Sequence, residues 1–392
     1  MAQNQTRSVT EVTNSVSIIV PARNEEAGLE RCLRSLVEQQ GIPFELIVVD
    51  DGSTDRTPEI IKKFAGVREC PFLGVNPSLI GVTAMNAGPV PQGWTGKAHA
   101  VWQAAQKAQG DWLLFTDADT VHERGSLAAA VDEAKQQGAA LLSYSPKQEL
   151  RGLGERIVMP LVFGELASRF RPKDVSDPNS KAAAANGQYL LIRRDAYFGV
   201  GGHQAVAGDL LEDVALAKLV KQAGGKLHFR FGGDRVRARM YRSWSQLVEG
   251  WTKNLALLFP DARSLAWRRL SEFAAIGFFA LADITADVEH KIVIGTIALI
   301  LFVGFFANFL VRVRRSHCGG FNEVLSILGL PFFSRLLLRS AYMHERGRVA
   351  WKGRVYSGSE STGTAVASDA LVQPKSPVTS TQESHGISHP KV

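Results

Sequence analysis

Three groups of carboxylates, each placed where an apolar run gives way to polar sequence, are the residues of this chain best suited to chemistry. Asp50 and Asp51 stand side by side before Gly52. A tight turn there exposes acceptors for the N–H of a base and the hydroxyls of a ribose. A plainer account of the same residues is a capped turn, with Ser53, Thr54 or Asp55 starting the next helix. Asp117 and Asp119 are spaced i, i+2 behind the run Trp112–Thr116. Two carboxylates so spaced can converge on one hard cation, Mg2+ or Mn2+, that takes diphosphate oxygens as further ligands. Asp209, Glu212 and Asp213 lie at the opening of a helical segment over 210–222. Acids there complement the helix dipole. A carboxylate near a bound acceptor hydroxyl can also take its proton. Lys97 follows a Gly-x-x-Gly turn and can meet a diphosphate as a point charge. Arg239 and Arg242 offer planar forks, suited to the phosphates of a leaving nucleotide or of lipid headgroups.

These groups need elements to hold them. Val16–Ala22, Phe44–Asp50 and Trp112–Thr116 read as short apolar strands, and Glu26–Gln39, Asp55–Phe64, Trp94–Gln109 and Leu127–Gln137 have helical spacing. Apolar strands alternating with amphipathic helices predict an α/β domain over 16–238, its parallel sheet covered on both faces. Ligands of such sheets bind beyond the carboxyl ends of the strands, where the polar clusters fall. The first strand runs into Arg23-Asn24-Glu25-Glu26 with no GxGxxG, which argues against a dinucleotide site.

In this order the segments VSIIVPARNEE, VVDDGSTD, LLFTDAD, ANGQYLLIRRDAYFGVGG and LLEDVAL resemble the family 2 glycosyltransferases over roughly residues 16–255. The resemblance implies the GT-A fold, a Rossmann-like, mixed but mainly parallel sheet flanked by helices. It also implies inverting transfer from a nucleotide sugar, commonly UDP-linked, with a divalent cation. It implies donor contacts from Pro21, Ala22, Asn24, Glu25, Asp50, Asp51, Lys97, Asp117, Arg239 and Arg242, with Asp51 at the base. Asp119, with Asp117, would hold the metal, and Asp213, beside Glu212, would be the catalytic base. Gly93–Lys97, Arg239–Trp244 and Trp351–Arg354 resemble the membrane-bound branch that includes hopanoid-associated and carotenoid glycosyltransferases. The Q/R-x-x-R-W motif of ceramide glucosyltransferases is altered, with Ser243 in the Trp place and Trp244 one position later.

The last third has a different character. Residues 239–269 carry Trp and basic side chains at helical spacing, which predicts an amphipathic interfacial region. Ile292–Val311 is twenty residues without a charge, one bilayer thickness. Phe273–Ala286 is a shorter span containing Asp283. Arg263, Arg268 and Arg269 precede this pair, Arg312, Arg314 and Arg315 follow it, and Asp283, Asp287 and Glu289 lie between. That pattern predicts a hairpin crossing the cell (inner) membrane twice within 270–311, with the catalytic domain in the cytoplasm. Residues 321–341 read as interfacial or re-entrant, a third span being the alternative. A basic juxtamembrane segment (342–356), a disordered tail (357–392) and a flexible start (1–15) without a signal-peptide apolar region complete the organisation.

Composition narrows the functions. The 392 residues are 45% hydrophobic, enough for a core of ordinary size, with 45 Lys+Arg against 38 Asp+Glu. Cys32, Cys70 and Cys318 are far apart and show no metal-ligand spacing, which predicts a reduced compartment and no zinc. The basic residues cluster beside apolar spans, so nucleic acid is not an expected partner. A nucleotidyltransferase would want a basic Gly-rich loop where Asn24, Glu25 and Glu26 stand, and a membrane scaffold would not need the acidic clusters. The expectation is a membrane-bound transferase that moves a sugar onto a lipid or terpenoid acceptor.

Overall fold

A computed structural model describes residues 15–66, 69–70, 74–288 and 291–356. The expectations for residues 1–14, Glu289 and the tail from 357 lie outside the described residues. The apolar runs become β1 (Val16–Ala22), β2 (Phe44–Asp50), β3 (Leu79–Asn86), β4 (Trp112–Phe115), β5 (Leu141–Ser145), β6 (Leu190–Arg193) and β7 (Leu227–Phe231). They form one sheet in the order β7-β5-β6-β4-β1-β2-β3. β1 is parallel to β2 and β4, whereas β6 is antiparallel to β4 and β5. Val16 lies opposite both Phe44 and Trp112, so β1, β2 and β4 start level, and β2 ends opposite Ala22 and β4 opposite Ile19. The polar loops that follow these three adjacent strands leave the sheet as neighbours.

The longer helices of this part are α1 (Leu29–Val37), α2 (Thr57–Phe64), α3 (Gly96–Lys107), α4 (Ser126–Gln136), α5 (Leu153–Arg169) and α6 (Glu212–Gln222). α1, α2 and α4 bury their apolar sides on one face of the sheet, α3 and α6 on the other. Nothing in the periodicity announces α5. Its residues from Ile157 to Phe163 are all buried, so its apolar surface runs all round and leaves no stripe.

Beyond the sheet come α7 (Trp244–Leu258), α8 (Ala262–Val288), α9 (Ile292–Val313), α10 (Leu330–Glu345) and a hairpin of β8 (Val349–Trp351) and β9 (Arg354–Tyr356). Within the expected interfacial region over 239–269, one face of α7 packs on the protein. Leu247, Trp251 and Leu255 of α7 face a core shared with α5 and α10, and Trp251 is only 2% exposed. Burial against α5 takes up the apolar face that a lipid surface would otherwise receive. Trp244, Leu257 and Trp267 remain exposed.

α8 and α9 pack together as a helical hairpin. Its base is clamped by a charge-balanced quartet, Arg269 and Arg312 with Glu165 and Glu272, at 2.5–3.0 Å. Gly164 of α5 permits this docking, because a Cβ there would lie 2.9 Å from the Arg312 carbonyl. Towards its tip the hairpin leaves large apolar side chains uncovered: Phe278 (66% exposed), Leu281 and Ile284 on α8, and Ile292 (80%), Val293 and Ile297 on α9. Asp283 lies against Gly295 of the neighbouring helix. Among the described residues, 292–316 and 320–345 are long and apolar enough to cross a membrane. The second includes α10, whose Phe333, Leu336 and Leu337 are packed in the protein core.

Candidate active site

The three polar clusters meet in a cavity of about 1190 Å3 beyond the ends of β1, β2 and β4. Pro21, Ala22, Asn24, Glu25, Asp51, Lys97, Asp117, Asp119, Glu212, Asp213, Arg239 and Arg242 all line it. Asp50 does not. Its Oδ1 accepts from the Ser53 amide at 3.1 Å and shapes the turn, so the capping account of that residue applies to the structure. Asp55 likewise accepts from the amides of Thr57 and Glu26, which starts α2 and ties the loop after β1 to the loop after β2. Asn24 adopts φ 51° and accepts from the Thr54 amide at 2.8 Å. These bonds hold Glu25 and Asp51 on adjacent walls.

Opposite them stands a cluster of alternating charge. Lys97, at the start of α3, places Nζ 2.8 Å from Asp117 Oδ1 and 2.8 Å from Glu212 Oε1. Burial opposes its charge, yet Asp117, Glu212 and Asp213 hold the ammonium well above its ordinary pKa. Burial would raise Glu212, but Lys97 and Lys253 keep it below the usual carboxylate range. Asp213 goes the other way: burial, then the charge of Glu212, pushes it to about 6. Its oxygens accept from the amides of Gly187 at 2.7 Å and Val214 at 2.8 Å, which fixes its direction. One helix opening thus presents an ionised Glu212 tied to Lys97 and an adjacent carboxylate poised near neutrality. Arg239 leans on Glu155 at 3.5 Å, and the Arg242 backbone donates to Gln246 of α7.

Asp119 has almost no support. Gln188 Nε2 lies 3.4 and 3.5 Å from its oxygens, and Gln188 Oε1 is buried without a hydrogen-bond partner. Burial, then the charges of Asp117 and Glu25, pushes Asp119 to about 7. An under-solvated carboxylate beside another, with an orphaned amide oxygen near by, is a donor set that suits a hard divalent cation. Among the described residues no group of three or more His, Cys, Asp or Glu is arranged as a metal site, so substrate oxygens and water would complete the coordination. The two cysteines whose environment is described, Cys32 and Cys318, are free and buried, and burial pushes the Cys32 thiol to about 12.

The cavity also has walls that motif spacing did not place. Gln188 and Gly187 come from the segment before β6, and Phe163, Leu166 and Phe170 from α5 and its end. Trp251 and Lys253 come from α7. Trp351, Lys352, Arg354 and Tyr356 arrive from the β8–β9 hairpin. The Trp-Lys-Gly-Arg sequence is visible as a motif, but its distance along the chain gives no hint that it returns to this site.

Residues 17–198 match the family described as Glycosyl transferase family 2. A 4,4′-diaponeurosporenoate glycosyltransferase of Staphylococcus aureus is 26% identical over 370 residues, which is 91% of this chain and 92% of that protein. Among solved structures, the mannosyltransferase PcManGT of Pyrobaculum calidifontis, in complex with GDP-Man and Mn2+, is similar with a TM-score of 0.47 and 17% identity over 84% of this chain and 86% of that one. Glucosyl-3-phosphoglycerate synthase of Mycobacterium tuberculosis, with Mn2+, UDP-Glc and phosphoglyceric acid, gives a TM-score of 0.36 and 20% identity over 60% and 74%.

Proposed function

We propose that the chain is a family 2 glycosyltransferase of the GT-A fold, the family that residues 17–198 match, and that it moves a sugar from a UDP-linked donor to an amphiphilic lipid or terpenoid, with inversion, at the cytoplasmic face of a membrane. The observation that carries this reading is the division of one cavity into two sides. Asp51, Asp117 and Asp119 stand where β2 and β4 end, and Asp213 stands at the opening of α6. Asp51 would accept the N–H of the base, and Arg239 and Arg242 would meet the diphosphate as it leaves. Asp213, held by the Gly187 and Val214 amides, would take the proton of an acceptor hydroxyl as its oxygen bonds to the anomeric carbon and the bond to the diphosphate breaks. Glu212 would keep Lys97 in place between the donor and base sides. A cation held by Asp119 and Asp117 would supply charge neutralisation for the diphosphate.

The acceptor class follows from the rest of the cavity. Phe163, Leu166 and Phe170 give it an apolar wall, and it reaches Arg314 and Arg315 at the end of α9. The uncovered apolar side chains near the tip of the α8–α9 hairpin support insertion in a bilayer. An acceptor lying in that bilayer would bring its head to Asp213 from the side of α5. The full-length relative that glycosylates 4,4′-diaponeurosporenoate makes a terpenoid the preferred class.

The test is turnover by the detergent-solubilised protein with Mg2+ or Mn2+, a panel of nucleotide sugars and lipid extracts, read by mass spectrometry. Sugar-lipid product and released UDP are expected. Formation of a nucleotide sugar from a sugar phosphate and a nucleoside triphosphate, without glycosyl transfer, would favour a nucleotidyltransferase. Asp119→Asn is expected to abolish cation-dependent UDP binding. Equal UDP affinity in variant and wild type across a Mn2+ titration would remove Asp119 from the metal role.

A further inference from the structure

The β8–β9 hairpin closes the donor side of the cavity, although about 300 residues separate it from the loops it touches. Arg354 places Nη1 2.5 Å from Asp51 Oδ2 and Nη2 3.0 Å from Asp51 Oδ1, a two-pronged pair. Lys352 Nζ is paired with Glu25 and donates to the Arg23 carbonyl at 2.8 Å. Arg23 answers by donating to the Lys352 carbonyl at 3.2 Å. The Lys352 amide donates to Glu249 of α7 at 2.9 Å, so the hairpin is pinned from behind as well. The chain makes room for this arrangement. At Gly96 a Cβ would collide with the Arg354 guanidinium and with Asp51.

Charge gives the contact its meaning. The donor walls carry Glu25, Asp51, Asp117 and Asp119, which would repel a diphosphate. Lys97 is already committed to Asp117 and Glu212. Lys352 and Arg354 cancel two of the remaining carboxylates. A carboxylate has about four acceptor sites, so Asp51 can hold Arg354 and still accept a base N–H. Asp51 is 5% exposed, and without the guanidinium it would be a buried, uncompensated charge free to turn away.

The geometry points to the hairpin as the fourth wall of the nucleoside diphosphate site, with Arg354 as a positioning residue that aims Asp51 at the base and Lys352 as the counter-charge to Glu25. This rests on the donor reading of the site. It makes donor binding depend on the last described segment of the chain, which follows α8, α9 and α10 in sequence.

The test uses the full chain in detergent, titrated with UDP and with GDP in the presence of Mn2+, followed by donor kinetics. Arg354→Ala is expected to weaken UDP binding about tenfold or more, the scale of a lost charge-assisted pair, with the loss falling on donor KM rather than kcat. Its preference for UDP over GDP should shrink. In an Asp51→Asn background the same change should add little, because both act through one contact. Arg354→Lys keeps a charge but not the two-pronged pair and should fall between Arg354→Ala and wild type, and a wild-type thermal transition in both variants guards against misfolding. UDP affinity and selectivity unchanged or improved in Arg354→Ala would overturn the inference, as would fully additive losses with Asp51→Asn. If the wild-type chain binds neither nucleotide, the donor reading itself falls.

Discussion

At the scale of single residues, Asp213 separates from its neighbours through environment. Three carboxylates crowd around Lys97, yet the two at the opening of α6 are driven apart, Glu212 below its ordinary range and Asp213 to about 6. A general base works deprotonated, so turnover should fall as pH drops through about 6 and level off above it. Asp213→Asn should keep UDP binding and lose transfer by about 10²–10⁴-fold. Near-normal turnover with the true acceptor would assign the base elsewhere. Asp213 and Asp50 illustrate how little residue type alone conveys. Both were legible as acids at the end or start of an element, but only the long-range bond from Gly187 marks Asp213 as a cavity carboxylate, whereas Asp50 is taken up by a local turn bond from Ser53.

At the scale of elements, α5 holds the molecule together. It carries Glu165, which with Glu272 of α8 faces Arg269 and Arg312. Removing one arginine leaves two buried carboxylates with one counter-ion. Arg312→Leu should therefore destabilise the detergent-solubilised protein by about 3–5 kcal/mol, read as earlier thermal inactivation. Arg263, paired with Glu345 at the surface, is the control. Arg263→Leu should change stability by less than about 1 kcal/mol. Equal effects would mean that the quartet does not anchor the hairpin. The sequence marks these arginines only as basic flanks of apolar runs. Their partner Glu165 sits in a helix that burial on every side had stripped of any readable period.

At the scale of the whole molecule, the proposed insertion in a bilayer predicts a topology. Most of the uncovered side chains run from Phe278 to Ile284 on α8 and from Ile292 to Phe305 on α9, and the arginines of the quartet lie at the end of the hairpin away from Lys291. A hairpin inserted from the cytoplasmic face fits both this and the positive-inside rule. In a background lacking the three native cysteines, single cysteines at Lys107, Lys291 and Arg315 would be probed in intact cells with an impermeant maleimide. Only the Lys291 site should label. Labelling at Lys107, or at Arg315 without Lys291, would reverse or break the hairpin. All three positions are exposed.

What the sequence determined by itself is whatever depends on neighbours along the chain. The apolar runs of β1, β2 and β4, the helical stripes of α1 and α6 and the polar clusters at the strand ends are local patterns. Period and turn chemistry write them directly. The strand-end rule then places those clusters on one edge of the sheet. The antiparallel β6 inside a mainly parallel sheet, the all-round burial of α5, the packing of α7 on the protein core and the return of Arg354 to Asp51 were decided only by tertiary structure. Each is a contact between segments far apart in the chain. Its free energy comes from burying apolar surface or pairing charge with a partner that no local pattern specifies.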